Sequence, residues 1–370
     1  MKLMAFYFPQ FYEIEENNHW WGKGFTDWDL VEKAQPLSAT HRQPRKPACG
    51  FYDQSRPEVI AQQAVLAEQF GLHGFNFYHY WFDGKLILEK PLELFHANKN
   101  HNLKYCVTWA NEAWTRQWVG SSEILMAQNY IKDPSLWAKH FNYLSKYFQD
   151  DRYLCIDDKP VFCIYRPEQH PDLVDFLKFM NRKAIDAGLR GIYFVAIKSF
   201  PLLDENKLYK HFDAIIKFQP RVFFSAKKAE SSSFWKSIEP LLRRLPASIQ
   251  LQLSRIKYGM QTSTSFCYDE LWEYILSESK KDSCNVFQSI VVDWDNTARY
   301  GSRSHYFKGS TPEKFREGLI SLADIEHAKG TPYIFINAWN EWSEAAYLEP
   351  DEQYGTAYLD AVKLVSGRTV

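Results

Sequence analysis

The sequence predicts a (β/α)8 TIM barrel with an inserted basic segment between its sixth and seventh strands. Three observations predict it. Short apolar runs rich in β-branched and aromatic residues alternate with amphipathic helical stretches, the mark of parallel βα units. There are eight such runs, the closure number of the commonest α/β barrel. The first run ends in Phe8-Pro9-Gln10-Phe11-Tyr12, with none of the glycine-rich phosphate turn that an open doubly wound sheet places there.

In chain order the strands are expected at Leu3–Phe8, Gly74–Tyr78, Lys104–Trp109, Val161–Tyr165, Gly191–Ala196, Ala214–Phe218, Ser289–Asp293 and Tyr333–Asn337. Helical patterns fill the gaps. Pro57–Phe70 stops at Gly71, and Leu136–Phe148 follows Asp133-Pro134-Ser135. Pro171–Ala187 stops at Gly188, and Pro312–His327 ends before Gly330. Proline near the start and glycine just past the end is the usual helix punctuation. The 370 residues are expected to form one domain, 1–370, since α/β barrels routinely exceed the ordinary domain length. Residues 221–287 are too long for a plain βα connection and are expected as an insertion within it. Its first part, 221–260, is strongly basic, with Arg221, Lys227, Lys228, Lys236, Arg243, Arg244, Arg255 and Lys257 against Glu230 and Glu239. Phe234–Leu245 within it is amphipathic. That pattern suits a capping subdomain with a solvated basic face, or a peripheral contact with a membrane surface and a lipid-linked substrate.

Composition narrows the function classes. A net charge of -1 offers nothing to nucleic acid or to an acidic polymer. The aromatic share is high, at 17% with 13 Trp, 22 Tyr and 27 Phe. Sugars present flat C–H faces that stack on such rings, although a large barrel core also absorbs many of them. The six cysteines form no C-x-x-C pair, and Cys106, Cys155 and Cys163 lie in or near apolar runs. That usage fits a reducing compartment and argues against a zinc site, so neither metal nor cofactor is expected. The N-terminal residues are already strand-like, and no segment reaches ~18 uninterrupted apolar residues. A cytoplasmic location is the expectation.

Barrel active sites form at the C-terminal ends of the strands, so the residues just past each run are the candidates. Strand two runs into His79-Tyr80-Trp81, and strand three into Trp109-Ala110-Asn111-Glu112. Strand seven runs into Asp293-Trp294-Asp295-Asn296, and strand eight into Ala338-Trp339-Asn340-Glu341-Trp342-Ser343-Glu344. Aromatic, amide and carboxylate residues recur at one rim. Glycosidic cleavage commonly needs two carboxyl groups, one protonated and one ionised, flanking the anomeric carbon. Glu341 and Glu344 are spaced so that one helical turn would project both to the same side. Trp339 and Trp342 would supply apolar cover, raising one carboxyl towards the acid role. The competing structural reading has either glutamate capping the next helix or pairing with Arg116 or Arg299.

Several segments together resemble a known family: Phe6-Tyr7-Phe8-Pro9-Gln10-Phe11, Trp21-Gly22-Lys23-Gly24-Phe25-Thr26-Asp27-Trp28, Phe77-Tyr78-His79-Tyr80-Trp81-Phe82, Trp109-Ala110-Asn111-Glu112 and Asn337–Glu344. They resemble the WbsX-type proteins of bacterial O-antigen and capsule clusters, which are similar in turn to the endo-α-mannosidases of glycoside hydrolase family 99. The resemblance spans nearly the whole chain and implies a (β/α)8 barrel acting on a surface oligosaccharide or polysaccharide. It implies Glu341 as the base that draws the proton from a sugar 2-hydroxyl. That hydroxyl displaces the leaving group to give a 1,2-anhydro intermediate, with net retention. It implies Glu344 as the general acid and then the base for water. The first-loop and third-strand motifs match the WbsX group better than the mannosidases.

Around this pair, Trp28, Trp81, Trp109, Trp294 and Trp339 are stacking candidates. His79, Tyr80, Asn111, Glu112, Asp293, Asn296 and Asn340 are candidates for sugar hydroxyls. His79 has a plain alternative as a satisfied core histidine. Two further functions compete. WbsX-type proteins are often labelled glycosyltransferases, and the D-x-D motifs Asp293/Asp295 and Asp27/Asp29 could hold Mg²⁺ or Mn²⁺ on a sugar-nucleotide diphosphate. The third reading is a non-catalytic glycan-binding barrel that keeps only the aromatic rim.

Overall fold

The computed structural model describes residues 1–116, 123–202, 205–231 and 263–368. Eight parallel strands close into one barrel: β1 (Lys2–Tyr7), β2 (Gly74–Phe82), β3 (Lys104–Trp109), β4 (Lys159–Ile164), β5 (Tyr193–Lys198), β6 (Ala214–Lys217), β7 (Val286–Val291) and β8 (Tyr333–Asn337). Closure comes at β1, which pairs β8 through Leu3↔Ile334 and β2 through Met4↔Gly74. All eight predicted strands are present. Gly74 is required by the closeness of the next strand, because a Cβ there would stand 2.0 Å from the Lys104 carbonyl oxygen.

The largest difference from expectation is the length of β2, which runs past Tyr78 to Phe82. Lys85–Ile87 folds back on it antiparallel and pairs Tyr80 with Ile87. Asp83 and Gly84, both at positive φ, make the tight turn between them, a dipeptide well suited to such hairpins. The extension carries the alternation of β2 up to the barrel mouth.

Helices cover the outside: α1 (Pro57–Gln69), α2 (Lys90–Ala97), α3 (Pro134–Phe148), α4 (Leu173–Asp186), α5 (Arg221–Ser231), α6 (Tyr268–Ser279), α7 (Pro312–Ala328) and α8 (Ala357–Ser366). Proline stands in the first turn of α1, α3 and α7. Asp133 caps α3 by accepting from Ser135 N at 2.7 Å, and Thr311 caps α7 by accepting from Lys314 N at 3.3 Å. The helix expected from Pro171 begins at Leu173.

The long connection after β6 divides into unlike parts. The helix α6 belongs to the barrel's ordinary outer layer, where Trp272 packs so closely on α7 that a Cβ on Gly318 would meet its ring at 2.2 Å. Within the expected insertion 221–287, residues 268–279 thus form a helix of the barrel's outer layer. The amphipathic stretch 234–245 and most of the basic segment 221–260 lie outside the described residues. Among the described residues no helix is long and apolar enough to cross a membrane.

Inside the barrel the core is aromatic. Phe6 stacks on Tyr78 at 5.6 Å and meets Phe218 edge-on at 5.1 Å. Successive strand residues point to opposite faces. Along β2, Asn76, Tyr78 and Tyr80 face the barrel interior, while Phe75, Phe77, His79 and Trp81 face the surrounding layer. Phe77 packs on Phe95 of α2, and His79 and Trp81 pack on His140 of α3.

Candidate active site

Beyond β8, Asn340–Glu341 pairs antiparallel with Ala346–Tyr347, and Trp342–Glu344 forms a single 3-10 turn between them. Residues i and i+3 eclipse in such a turn, which puts Glu341 and Glu344 on one side. Ala345, left-handed at φ 55°, closes it. The expected cover from the neighbouring tryptophans takes another form, because both point away from the cavity. Trp342 stacks on Tyr347 at 3.7 Å and donates Nε1 to Glu349 at 2.8 Å, while Trp339 meets Phe75 edge-on at 5.1 Å.

Arg299, in the short helix Thr297–Tyr300, reaches the carboxylate pair. Its Nη1 lies 2.6 Å from Glu344 Oε1 and 3.4 Å from Glu341 Oε1, and its Nη2 lies 3.4 Å from Asp27 Oδ2. Two oxygens on one nitrogen at those distances stand no more than about 6 Å apart, short of the ~6.5 Å at which inverting carboxyl pairs begin. Arg116, the other arginine considered for this role, pairs instead with Glu123 and the Trp20 carbonyl.

Burial governs the electrostatics. Glu341 is 7% exposed, and its carboxyl is pushed up to about 8, first by burial and then by the charge of Glu344. Arg299 and Arg221 pull the other way and only partly offset this. Burial likewise raises Asp27 against the opposing pull of Arg299. Tyr78 and Tyr80 are raised by burial and by Glu341, which keeps both as neutral hydrogen-bonding phenols.

Glu341 opens into a cavity of about 500 Å³ at the C-terminal mouth of the barrel, a size typical of small-molecule sites. Tyr78, Tyr80, Tyr165 and Tyr300 line it with Phe8 and Gln10, Trp21 and Trp114 contribute indole rings, and Glu112 and Arg166 stand at its edge. Glu344 sits against Arg299 and is not part of the lining.

Of the residues expected from sequence, Tyr80, Glu112 and Glu341 line this cavity. The other substrate-binding candidates lie elsewhere. Trp28 packs on Phe11 at 4.0 Å and donates to the Tyr52 carbonyl. His79 Nε2 lies 2.9 Å from His140 Nε2, and Trp81 lies flat on His140 at 4.7 Å. Trp109 donates to the Trp81 carbonyl, which places it in the same outer layer. Asn111 ties two loops together by donating to the Arg166 carbonyl and accepting from Arg166 N. Asn340 does the same for β1, exchanging hydrogen bonds with Phe8 N and O. Asn296 accepts from His305 N, and Trp294 is buried near Phe224. The physical reason is mostly parity. Every second residue at a strand end turns outward, and side chains that stitch loops together have no face left for a ligand.

The D-x-D motifs are also engaged. Asp293 pairs with Arg45 at 2.8 Å, and Asp295 lies 3.1 Å from His41 and accepts from Gln43 at 2.7 Å. Burial raises Asp295, but hydrogen bonds with His41 and Thr297 and the charge of Arg45 outweigh it and hold it below the usual carboxylate range. Asp27 turns inward to Arg299 while Asp29 pairs with Lys33 at the surface. Neither motif presents two open carboxylates to a metal–diphosphate.

Sequence reasoning missed Tyr78, Tyr165, Trp114, Arg221 and Tyr300 as cavity residues, and considered Arg299 only as a structural partner. Arg221 and Tyr165 were accessible through the barrel rule, since each stands just past the end of its strand.

The fold agrees with relationships to known proteins. A glycoside hydrolase-like protein superposes with a TM-score of 0.57 at 12% identity, covering 100% of this chain and 94% of that one. The GH99 endo-alpha-mannosidase from Bacteroides thetaiotaomicron superposes with a TM-score of 0.55 at 13% identity, covering 98% and 96%. At such identities the likeness carries the fold alone. Closer in sequence are the WxcX proteins of two strains of Xanthomonas campestris pv. campestris, each 32% identical over 98% of this chain. The chain spans about half of their length, 49%. The model of the family described as Glycosyltransferase WbsX matches residues 3–362, from the first strand of the barrel into its last helix, and the chain belongs to that family.

Proposed function

We propose that the chain is a carbohydrate-active enzyme that cleaves or transfers a glycosidic bond of a bacterial surface glycan with retention of configuration, through Glu341 and Glu344. The observation that carries the reading is the shared contact of both carboxylates with Arg299 Nη1 beside the cavity. Two carboxylate oxygens at most about 6 Å apart support a retaining pair over an inverting one, which holds a water between carboxyl and sugar. The endo-α-mannosidase likeness makes α-mannosides the first substrates to try, and family membership keeps other surface glycans beside them.

In the primary assignment Glu341 is the base for the sugar 2-hydroxyl and Glu344 is the general acid. Glu341 is the member of the pair that lines the cavity, and a carboxyl raised towards 8 is a strong base once ionised. The same raised value favours a second reading in which the roles exchange, with Glu341 the proton donor and Glu344 the carboxylate paired to Arg299. The pH dependence of kcat/KM separates the two. As a base, Glu341 makes kcat/KM climb up to about pH 8; as an acid, it makes activity fall above that pH.

A sugar-nucleotide transferase reading rests on D-x-D, and the ion pairs on Asp293 and Asp295 weigh against it. The test is turnover of a panel of oligosaccharides without added metal, followed by NMR of the product anomer. Retention, with turnover abolished in both Glu341→Gln and Glu344→Gln, supports the proposal. Inverted product, or turnover only from a sugar nucleotide with Mg²⁺ or Mn²⁺, refutes it. Glycan affinity without turnover on any substrate would leave the binding-barrel reading in its place.

A further inference from the structure

Three arginines line the cavity, and two of them are matched by carboxylates. Arg299 carries Glu344, Glu341 and Asp27. Arg166 pairs with Glu112 and Glu168. Arg221 has no carboxylate within ion-pair distance among the described residues, and its Nε is buried without a hydrogen-bond partner. The charge is permanent, because a guanidinium does not lose its proton in a protein. A guanidinium half-buried in a cavity wall with no carboxylate beside it is under-compensated. The Phe200 ring offers only slight compensation, since it stands 6.0 Å away, at the outer reach of a cation–π contact. Glu344 and Glu112 act on Arg221 only at longer range, after the neighbouring Tyr165 hydroxyl.

The surroundings reinforce the positive potential. Arg221 opens α5, eleven residues long, so the positive end of that helix lies beside the guanidinium. It lines the same cavity as Glu341. A guanidinium fork matches a carboxylate or phosphate with two parallel hydrogen bonds.

We propose that Arg221 reads a negative charge on the substrate: the glycan held beside Glu341 carries an anionic group, a uronate-type carboxylate or a phosphate, that seats on this guanidinium. The proposal rests on the reading of Glu341 and Glu344 as the cleaving pair, and it adds the substrate class. Charge selection then comes from a residue at the end of strand six, while bond cleavage comes from the end of strand eight.

The test measures binding of D-glucuronate, D-glucose 6-phosphate and D-glucose to the full chain by calorimetry. The variants are Arg221→Met, Arg221→Lys and Glu341→Gln. The wild type is expected to bind one of the two anions at least about tenfold tighter than glucose, with the preference weakening in salt. Arg221→Met removes the preference and Arg221→Lys keeps part of it. Glucuronate ahead of the phosphate identifies an acidic sugar, and the reverse order a phosphorylated glycan. Equal binding of all three probes by the wild type overturns the proposal, as does a preference that survives Arg221→Met. Should Arg221→Met not fold, the wild-type comparison decides alone. The two readings fail separately. If Glu341→Gln and the wild type share the anion preference but no glycan is ever cleaved, the cleavage reading falls and this one stands. If neutral glycans are cleaved as fast as charged ones and Arg221→Met leaves that rate unchanged, this one falls and the carboxylate pair stands.

Discussion

The two faces of β2 at the barrel mouth are equally aromatic and equally buried, yet they are different kinds of surface. Tyr78 and Tyr80 turn inward to a cavity that also holds Glu341, Arg299 and Arg221. His79 and Trp81 turn outward, where His79 meets His140 at 2.9 Å and Trp81 lies nearly parallel to the same ring, at 3°. Burial lowers His79 to about 3 and His140 well below its ordinary value, so the outer face is a neutral, mutually satisfied layer between barrel and helix. The inner face gathers charges that burial disfavours. Aromatic density therefore reports where layers are filled, while buried charge marks the face proposed to carry the chemistry.

The largest expected contrast is between removing an inner charge and removing an outer ring. Glu341→Gln and Glu344→Gln should each lower kcat/KM by about 10²–10⁴-fold. Glu341→Gln should leave the thermal midpoint near pH 5 little changed, whereas Glu344→Gln also breaks the buried pair with Arg299 and should lower it. Trp81→Ala should cost about 3–5 kcal/mol of stability while each folded molecule keeps its turnover. Denaturant titration beside single-substrate kinetics measures both. The comparison breaks if Trp81→Ala abolishes turnover without loss of stability.

Arg299 should give a smaller and mixed effect, because it belongs to the inner face but acts through its partners. Arg299→Met leaves Glu341, Glu344 and Asp27 without their shared cation, and removing one member of a buried ion pair costs about 3–5 kcal/mol. A purely structural role would lower stability and leave the pH profile alone. A positioning role also moves the profile. Losing the cation that pulls Glu341 down should shift the limb near pH 8 to higher pH, and Arg299→Lys should restore part of the shift.

The closed barrel was legible because strand count, β-branched runs and proline–glycine punctuation are local signals that agree with one another. The placement of Glu341 and Glu344 was legible from the barrel rule, which needs only the end of strand eight. Parity was the information lacking. At the end of β2 the reading took His79, Tyr80 and Trp81 as one group, and only the register of the strand decides that Tyr80 faces the mouth while its neighbours do not. Asn111, Asn340 and Asp293 look like ligand residues by type, but contacts from remote segments consume them: Arg166, Phe8 and Arg45. Long-range pairings of that kind leave no trace in local spacing. The same holds for Arg299, whose importance comes from Asp27 and the glutamates, both far from it in sequence.

The finest test of the contrast is the pH dependence of stability, where the two faces should slope in opposite directions. The Glu341 carboxyl is raised from 4.5 to about 8, so the fold prefers it protonated. Its ionisation costs nothing below the lower value, and the cost grows as pH rises to the upper one. Glu341→Gln abolishes that cost. Its thermal midpoint should match the wild type near pH 5 and exceed it by a few degrees near pH 9, the usual sign of a site strained for function. His79 is lowered from 6.5 to about 3, so the fold prefers it neutral, and stability present above 6.5 is lost as pH falls towards 3. His79→Phe should be less stable throughout, by about 1–3 kcal/mol, because His140 loses its partner. Its acid limb should nevertheless be flatter than that of the wild type. Calorimetric melts of the two variants from pH 4 to 9 would show the inner substitution gaining at the alkaline end and the outer one losing least at the acid end; parallel curves would mean that both faces are ordinary core.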